Sequence, residues 1–176
     1  MFDSCTKLAS VTYADDITLI ASSAFTRTAI TSITIPDTVK EIGASAFNSC
    51  TKLEEITLNE YSEALTTIGV RAFNGCSALK SLTLPASVQT IGADAFKGCT
   101  SLTLDLNPDC SDYVYKSGIL TDADLTSILY IDITKTYGDF VVPESLTAIT
   151  DSAFEGTHFD KVTLPENLIK IEKYAF

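Results

Sequence analysis

The feature that most restricts the folds open to this chain is a phenylalanine that returns at nearly fixed intervals. Phe25, Phe47, Phe73, Phe96, Phe154 and Phe176 each close an Ala-Phe pair, and Phe2 adds a seventh, partly truncated instance. The steps between them are 23, 22, 26, 23, 58 and 22 residues. A regular period of this length, with two interruptions, specifies a solenoid, because one such unit cannot bury its apolar face and must stack on its neighbours. Every other feature is therefore read once per repeat.

Five residues before each full Phe stands the second member of an apolar pair at spacing three: Ile17/Ile20, Val39/Ile42, Leu65/Ile68, Val88/Ile91, Leu146/Ile149 and Leu168/Ile171. This is expected to be an inward-facing turn of the coil. After each Phe comes a pair at spacing two: Val11/Tyr13, Ile33/Ile35, Ile56/Leu58, Leu82/Leu84, Leu104/Leu106, Phe140/Val142 and Val162/Leu164. Period-two alternation predicts strands, and stacking them predicts a parallel sheet with the intervening residue facing outward. That outward ladder reads Thr12, Thr34, Thr57, Thr83, Asp105, Val141 and Thr163. Pro36, Pro85, Pro143 and Pro165 follow four of the strands, where a residue without an N–H ends the ladder and begins a bend. Gly43, Gly69 and Gly92 mark the opposite corner, but Ala21, Thr150 and Glu172 take the slot elsewhere, which argues against a strictly left-handed backbone there.

These residues resemble the BspA-like leucine-rich repeats, whose unit runs approximately V-x-x-I-G-x-x-A-F-x-G-C-x-x-L-x-x-V-x-L-P. "LPASVQTIGADAFKGCTSL", Leu84 to Leu102, follows that pattern throughout. The long step is similar to the family's longer unit. Its runs Val114 to Leu120 and Ser127 to Ile133, joined by "TDADLT", predict a β-hairpin elaboration over 107–139 within a single solenoid of about seven units covering 1–176. The fold expected is a right-handed, β-rich leucine-rich-repeat solenoid, with short strands and single-turn helices at segments such as "SAFNSC".

Chemistry has little support in the sequence. Cys5, Cys50, Cys76 and Cys99 each follow a repeat Phe by three residues, with Arg27 or Thr157 in that slot elsewhere, and Cys110 stands apart. No C-x-x-C pair suggests zinc, so the in-register thiols are expected to be packed inside a turn. The acids Asp105, Asp109, Asp112, Asp122 and Asp124 lack EF-hand spacing and are expected to serve turns. The one histidine, His158, falls in the apparent turn "EGTHFDK". No nucleophile, phosphate-loop or zinc-hydrolase pattern accompanies it, so the chain is expected to be neither an enzyme nor a holder of metals or cofactors.

With 12 Lys and Arg against 23 Asp and Glu, the formal charge is −11, which opposes binding to nucleic acid and to anionic lipid. No apolar run is long enough for a membrane span, and none of these residues forms an export signal. Phe2 to Val11 already matches the second half of a repeat, so the solenoid is expected to be truncated at both ends, and uncapped end coils are expected to associate end to end.

The resemblance implies a secreted or cell-surface microbial protein that adheres to an extracellular protein or glycan. The surface expected to do so comprises Thr34, Glu54, Glu55, Thr57, Lys80, Ser81, Thr83, Asp105, Val141, Lys161 and Thr163. Tyr113, Tyr115, Tyr130 and Tyr137 gather in the long unit, either as the hairpin's own mini-core or as an aromatic recognition patch. Two further readings of the whole remain: repeats that only space a domain from the cell, and an accessory module of a larger protein.

Overall fold

A computed structural model describes residues 2–14, 16–150 and 153–176. The chain forms two compact units, 1–111 and 112–176.

In the first unit the spacing-two pairs build the expected parallel sheet. Its strands are β2 (Ser32–Thr34), β4 (Glu55–Thr57), β6 (Ser81–Leu84) and β8 (Thr103–Leu106), stacked in that order. Ile33, Ile56, Leu82 and Leu104 are buried beneath it, while the residues flanking them turn toward solvent. No strand forms at Val11–Tyr13. The segments expected to be inward turns form a second parallel sheet: β1 (Leu19–Ile20), β3 (Glu41–Ile42), β5 (Thr67–Ile68) and β7 (Thr90–Ile91). Ile20, Ile42, Ile68 and Ile91 stack in register and all point inward. Each strand is only two residues long, too short for an alternation to show in the sequence.

The Ala-Phe segment completes the coil. Phe2, Phe25, Phe47, Phe73 and Phe96 stack at centroid separations of 5.7, 5.3, 5.4 and 5.7 Å with nearly parallel planes. Such a spacing follows from the interstrand distance of about 4.8 Å plus the ring offset that aromatic pairs prefer. The backbone around each ring uses its N–H groups alternately. Those of Ser45, Phe47 and Ser49 donate to Val70, Ala72 and Asn74 of the next coil, at 2.8, 2.8 and 2.7 Å. Those of Ala46, Asn48 and Cys50 close turns on Gly43, Ser45 and Phe47 of their own coil, at 3.1 Å each. These i→i+3 closures stand where single-turn helices were expected, and among the described residues no helix forms.

The alternation requires left-handed backbone two residues before and two after each Phe. Ser45, Arg71 and Asp94 occupy the first position with φ of 56, 56 and 57°. Ser49 takes the second with φ 58°, and Gly75 and Gly98 with 74 and 76°. Gly43, Gly69 and Gly92 are not left-handed, and serve close approach instead. A Cβ on Gly92 would lie 2.3 Å from the Val70 nitrogen, and one on Gly69 2.6 Å from that of Ala44. The corner glycine lets two backbones touch.

The second unit opens with an antiparallel meander of three strands, where a two-run hairpin was expected. They are β9 (Tyr113–Lys116), β10 (Ile119–Asp122) and β11 (Ile128–Ile131). Ser117 and Gly118, at φ 53 and 88°, make the two-residue turn between β9 and β10, the mirror-image type that matches strand twist. "TDADLT" joins β10 to β11 as expected. Coils follow, with β12 (Thr136–Val141) parallel to β14 (His158–Thr163) and β13 (Ala148–Ile149) parallel to β15 (Lys170–Ile171). Ile119 and Ile131 of the meander share a buried cluster with Val142, Leu146, Ile149, Phe154 and Ala175 of the coils. The elaboration is therefore part of this unit's core.

Gly92→Ala should cost about 2 kcal/mol or more in urea denaturation, because its clash is with backbone and cannot be relieved by a rotamer change. Ser49→Gly should raise stability by up to about 1 kcal/mol in the same assay, since it relieves a non-glycine left-handed residue at a slot where later coils carry glycine.

Candidate functional site

In the first unit, Thr34, Glu55, Thr57, Ser81, Thr83 and Asp105 stand on one face of the β2-β4-β6-β8 sheet. Register pairs Thr34 with Thr57, Glu55 with Ser81, and Thr83 with Asp105. The sheet thus presents two columns of polar side chains about 4.8 Å apart along the stack. Ser32, opposite Glu55, and Thr103, opposite Ser81, complete the first column and were missed from the sequence. Their signal was available: each lies two residues before a ladder residue and so shares its face. Glu54 and Lys80 stand at the entry edge, where they form an exposed ion pair. A surface pair of this kind adds little stability and leaves both charges in reach of a partner.

Val141, Lys161 and Thr163 belong to the second unit, on β12 and β14. Val141 pairs with Thr163, and Lys161 stands opposite Asp139. Val141 is 64% exposed, an apolar residue in a polar ladder.

The four tyrosines do not make an exposed patch. Tyr113 and Tyr130 are buried by the meander's own packing. Tyr137 is half-buried, stacks on Phe159 at 4.5 Å and donates to the carbonyls of Asp132 and Gly118 at 2.8 and 3.3 Å. Burial, then the neighbouring Asp132 and Tyr115, push its hydroxyl up to about 12. Tyr115 lies beneath Lys135, whose ammonium is 5.7 Å from the ring centroid. Lys135 also pairs at 3.6 Å with the fully buried Asp132. These contacts fasten the meander to β12.

The repeated thiols are structural. Cys50, Cys76 and Cys99 are buried, and their Sγ atoms donate to the carbonyls of Phe25, Phe47 and Phe73, one coil back, at 2.9, 3.1 and 3.1 Å. Thr28, not Arg27, takes this slot in the second coil, and its hydroxyl donates to the Phe25 carbonyl at 2.9 Å. Thr157 does the same to Phe154 at 2.7 Å. Desolvation pushes the thiols of Cys50 and Cys76 up and that of Cys99 up to about 12. Cys5 is exposed and Cys110 half-exposed.

Asp122 is a turn residue, with its carboxylate accepting the Thr126 hydroxyl and the N–H groups of Thr126 and Ser127, the last two at 2.6 and 3.1 Å. Burial raises it, and these bonds outweigh burial to hold it below the usual carboxylate range. Among the described residues no group of three or more His, Cys, Asp or Glu converges as a metal site. His158 is exposed and begins strand β14, where a turn was expected. A cleft lined by residues including Ile35, Pro36, Leu58 and Pro85 has a volume of about 10 Å³, room for roughly one water.

The sequence profile of the BspA type leucine-rich repeat region matches in six copies, over residues 1–103 and 133–176. The chain belongs to this family. Among solved structures it is similar to the pneumococcal vaccine antigen PcpA, with 29% identity and a TM-score of 0.79 over 91% of this chain and 40% of that one. It shares its fold with a leucine-rich cell surface protein from Faecalibacterium prausnitzii, at 23% identity and TM-score 0.74, over 97% of this chain and 52% of that one. A leucine-rich repeat protein from Eubacterium ventriosum, at 23% identity and TM-score 0.69, covers 90% of this chain and 48% of its own. The chain thus spans about half or less of the length of these structures. No curated protein sequence matches it.

Two measurements check the thiol assignment in this BspA-type solenoid. A thiol reagent should label Cys5 and Cys110 rapidly in the native protein, and Cys50, Cys76 and Cys99 only after denaturation. Stability should also fall as pH rises above 9.0, the ordinary value for a thiol. Below that pH the contribution is complete. Above it the unfolded thiols release protons while the buried ones hold theirs, so the unfolded state is favoured by about 1 kcal/mol per thiol per pH unit. Replacing the three buried cysteines by threonine should flatten the slope.

Proposed function

We propose that this chain is a non-catalytic recognition module of a secreted or cell-surface microbial protein, binding an extracellular protein or glycan through the exposed face of the β2-β4-β6-β8 sheet. The observation that carries the reading is the registered polar array of Thr34/Thr57, Glu55/Ser81 and Thr83/Asp105 over a fully apolar underside. A parallel sheet held rigid by stacked coils exposes these side chains at fixed spacing, so little ordering entropy opposes a matching partner. Similarity to a vaccine antigen and to a cell surface protein supports the location. Membership of a family built on stacked repeats supports a binding role over catalysis.

The sheet face is tested by charge insertion. Thr57→Lys and Thr83→Lys, with Val141→Lys on the second unit, change exposed or half-exposed positions and should leave the unfolding transition within about 0.5 kcal/mol of the parent. Beads coated with the parent chain should adhere to immobilised matrix proteins or glycans, and beads coated with the Thr57 and Thr83 variants should adhere at least about tenfold less. Equal adhesion by parent and variants would instead assign the repeats a spacer role.

A further inference from the structure

The coil that carries β15 departs from the repeat at two surface positions. Ile169 stands where other coils have Thr18, Lys40, Thr66, Gln89 and Thr147, and it is 86% exposed. Tyr174 stands where the first unit has Ser23, Ser45, Arg71 and Asp94, and it is 64% exposed in the same left-handed conformation, φ 56°. Neither exposure follows from the want of a covering coil. Lys40 and Arg71 face solvent although the β3 and β5 coils that hold them have neighbours on both sides. Positions that are polar and wet elsewhere are apolar here. Ile171 and Phe176 of the same coil are exposed as well, where Ile42 and Phe47 are fully buried. A contiguous apolar surface of this kind marks an interaction site.

The backbone of β15 is open on one side. Its sheet has two strands, β13 and β15. The N–H groups of Lys170 and Glu172 donate to Thr147 and Ile149 on the β13 side, at 3.3 and 2.9 Å, so the N–H and carbonyl of Ile171 between them face the other edge. In inner coils that isoleucine carbonyl accepts from the next coil, Ile20 from Gly43, Ile42 from Gly69 and Ile68 from Gly92 at 2.8, 2.7 and 2.8 Å. An edge of this kind is a template for another strand. The sequence along it selects which strand. Lys170-Ile171-Glu172 is its own complement when read antiparallel, whereas a parallel copy would set lysine against lysine and glutamate against glutamate. We propose that this coil is the contact face of a symmetric dimer, in which β15 of one chain adds antiparallel to β15 of a second copy about a twofold axis at Ile171. The two Ile171 residues exchange N–H···O bonds across the axis, and Lys170 of each copy faces Glu172 of the other. Lys170 and Glu172 already pair within the chain at 2.7 Å, so both side chains lie on the face where the exchange occurs. Ile169, Tyr174 and Phe176 are covered by the same contact, and closed twofold symmetry leaves no edge for further growth.

Sedimentation velocity of the intact chain over a wide concentration range tests the contact. The parent should pass from a monomer of 18.9 kDa to a species of twice that mass and no larger. Ile169→Lys and Tyr174→Ser, which restore the residue types that Lys40 and Ser45 supply in other coils, should each weaken the dimer at least about tenfold. Their unfolding transitions in urea should match the parent's, because both positions are exposed. The charges test the register. Lys170→Glu and Glu172→Lys should each be monomeric alone, since each sets like charges across the axis, and an equimolar mixture of the two should dimerise. Thr57→Lys should dimerise like the parent, so failure of the sheet-face reading and failure of this one are separable. A parent that stays monomeric throughout the range would overturn the proposal. So would open-ended growth, or a dimer that Ile169→Lys and the single charge reversals leave intact.

Discussion

The first unit depends on the division of labour among the backbone N–H groups around each repeat phenylalanine. A buried amide left without a partner costs more than a typical hydrogen bond contributes, so a chain that buries a ring stack must place every nearby amide. Alternate amides join the next coil, and those between close turns on their own coil. This arrangement needs left-handed backbone on both sides of the ring, supplied by serine, arginine or aspartate in some coils and by glycine in others. The buried thiols extend the same scheme. The Phe47 carbonyl accepts the Cys50 amide from its own coil and the Cys76 thiol from the next, so both its lone pairs are used.

This explains why the cysteine slot tolerates threonine and why the two residues act differently. A thiol, with its longer bonds and larger sulfur, spans the gap to the preceding coil. Threonine at 28 and 157 bonds instead to the phenylalanine carbonyl three residues back in its own coil. Either way a small donor meets a buried carbonyl. The chemistry a cysteine suggests in isolation is suppressed by the desolvation that makes it useful here.

The parts of the fold legible in the sequence were those with a period long enough to count. The phenylalanine interval specified the stack, and the apolar pairs around Thr34, Thr57 and Thr83 specified the sheet that carries the polar face. The second sheet was not legible, because two residues such as Glu41 and Ile42 cannot display an alternation. The β9-β10 turn was present as Ser117-Gly118, but reading Val114 to Leu120 as one run hid it. The tyrosines were half legible for a related reason: clustering along the chain left a mini-core and an exposed patch both open, and the meander decides for the mini-core by turning Tyr113 and Tyr130 inward. Ser32 and Thr103 were legible in principle, through the same parity that identified their neighbours.

Recognition by a repeat fold raises a problem of its own that bears on where specificity can reside. Coils related by simple translation offer the same side chains at each step, so a partner satisfied by one coil is satisfied one coil along, and binding has no fixed register. Register is set only where translation is broken. In the first unit it is broken on the sheet by Asp105 in place of threonine, at the sheet's entry edge by the Glu54–Lys80 pair, and at the corner after β4 by three more residues between Leu58 and Leu65 than between Leu84 and Val88, an insertion that exposes Tyr61. The threonines give the sheet its polar surface, whereas these irregularities let a partner distinguish one coil from the next. Specificity in a solenoid is thus written in its departures from the repeat, even though those same repeats make the surface rigid enough for a departure to be read.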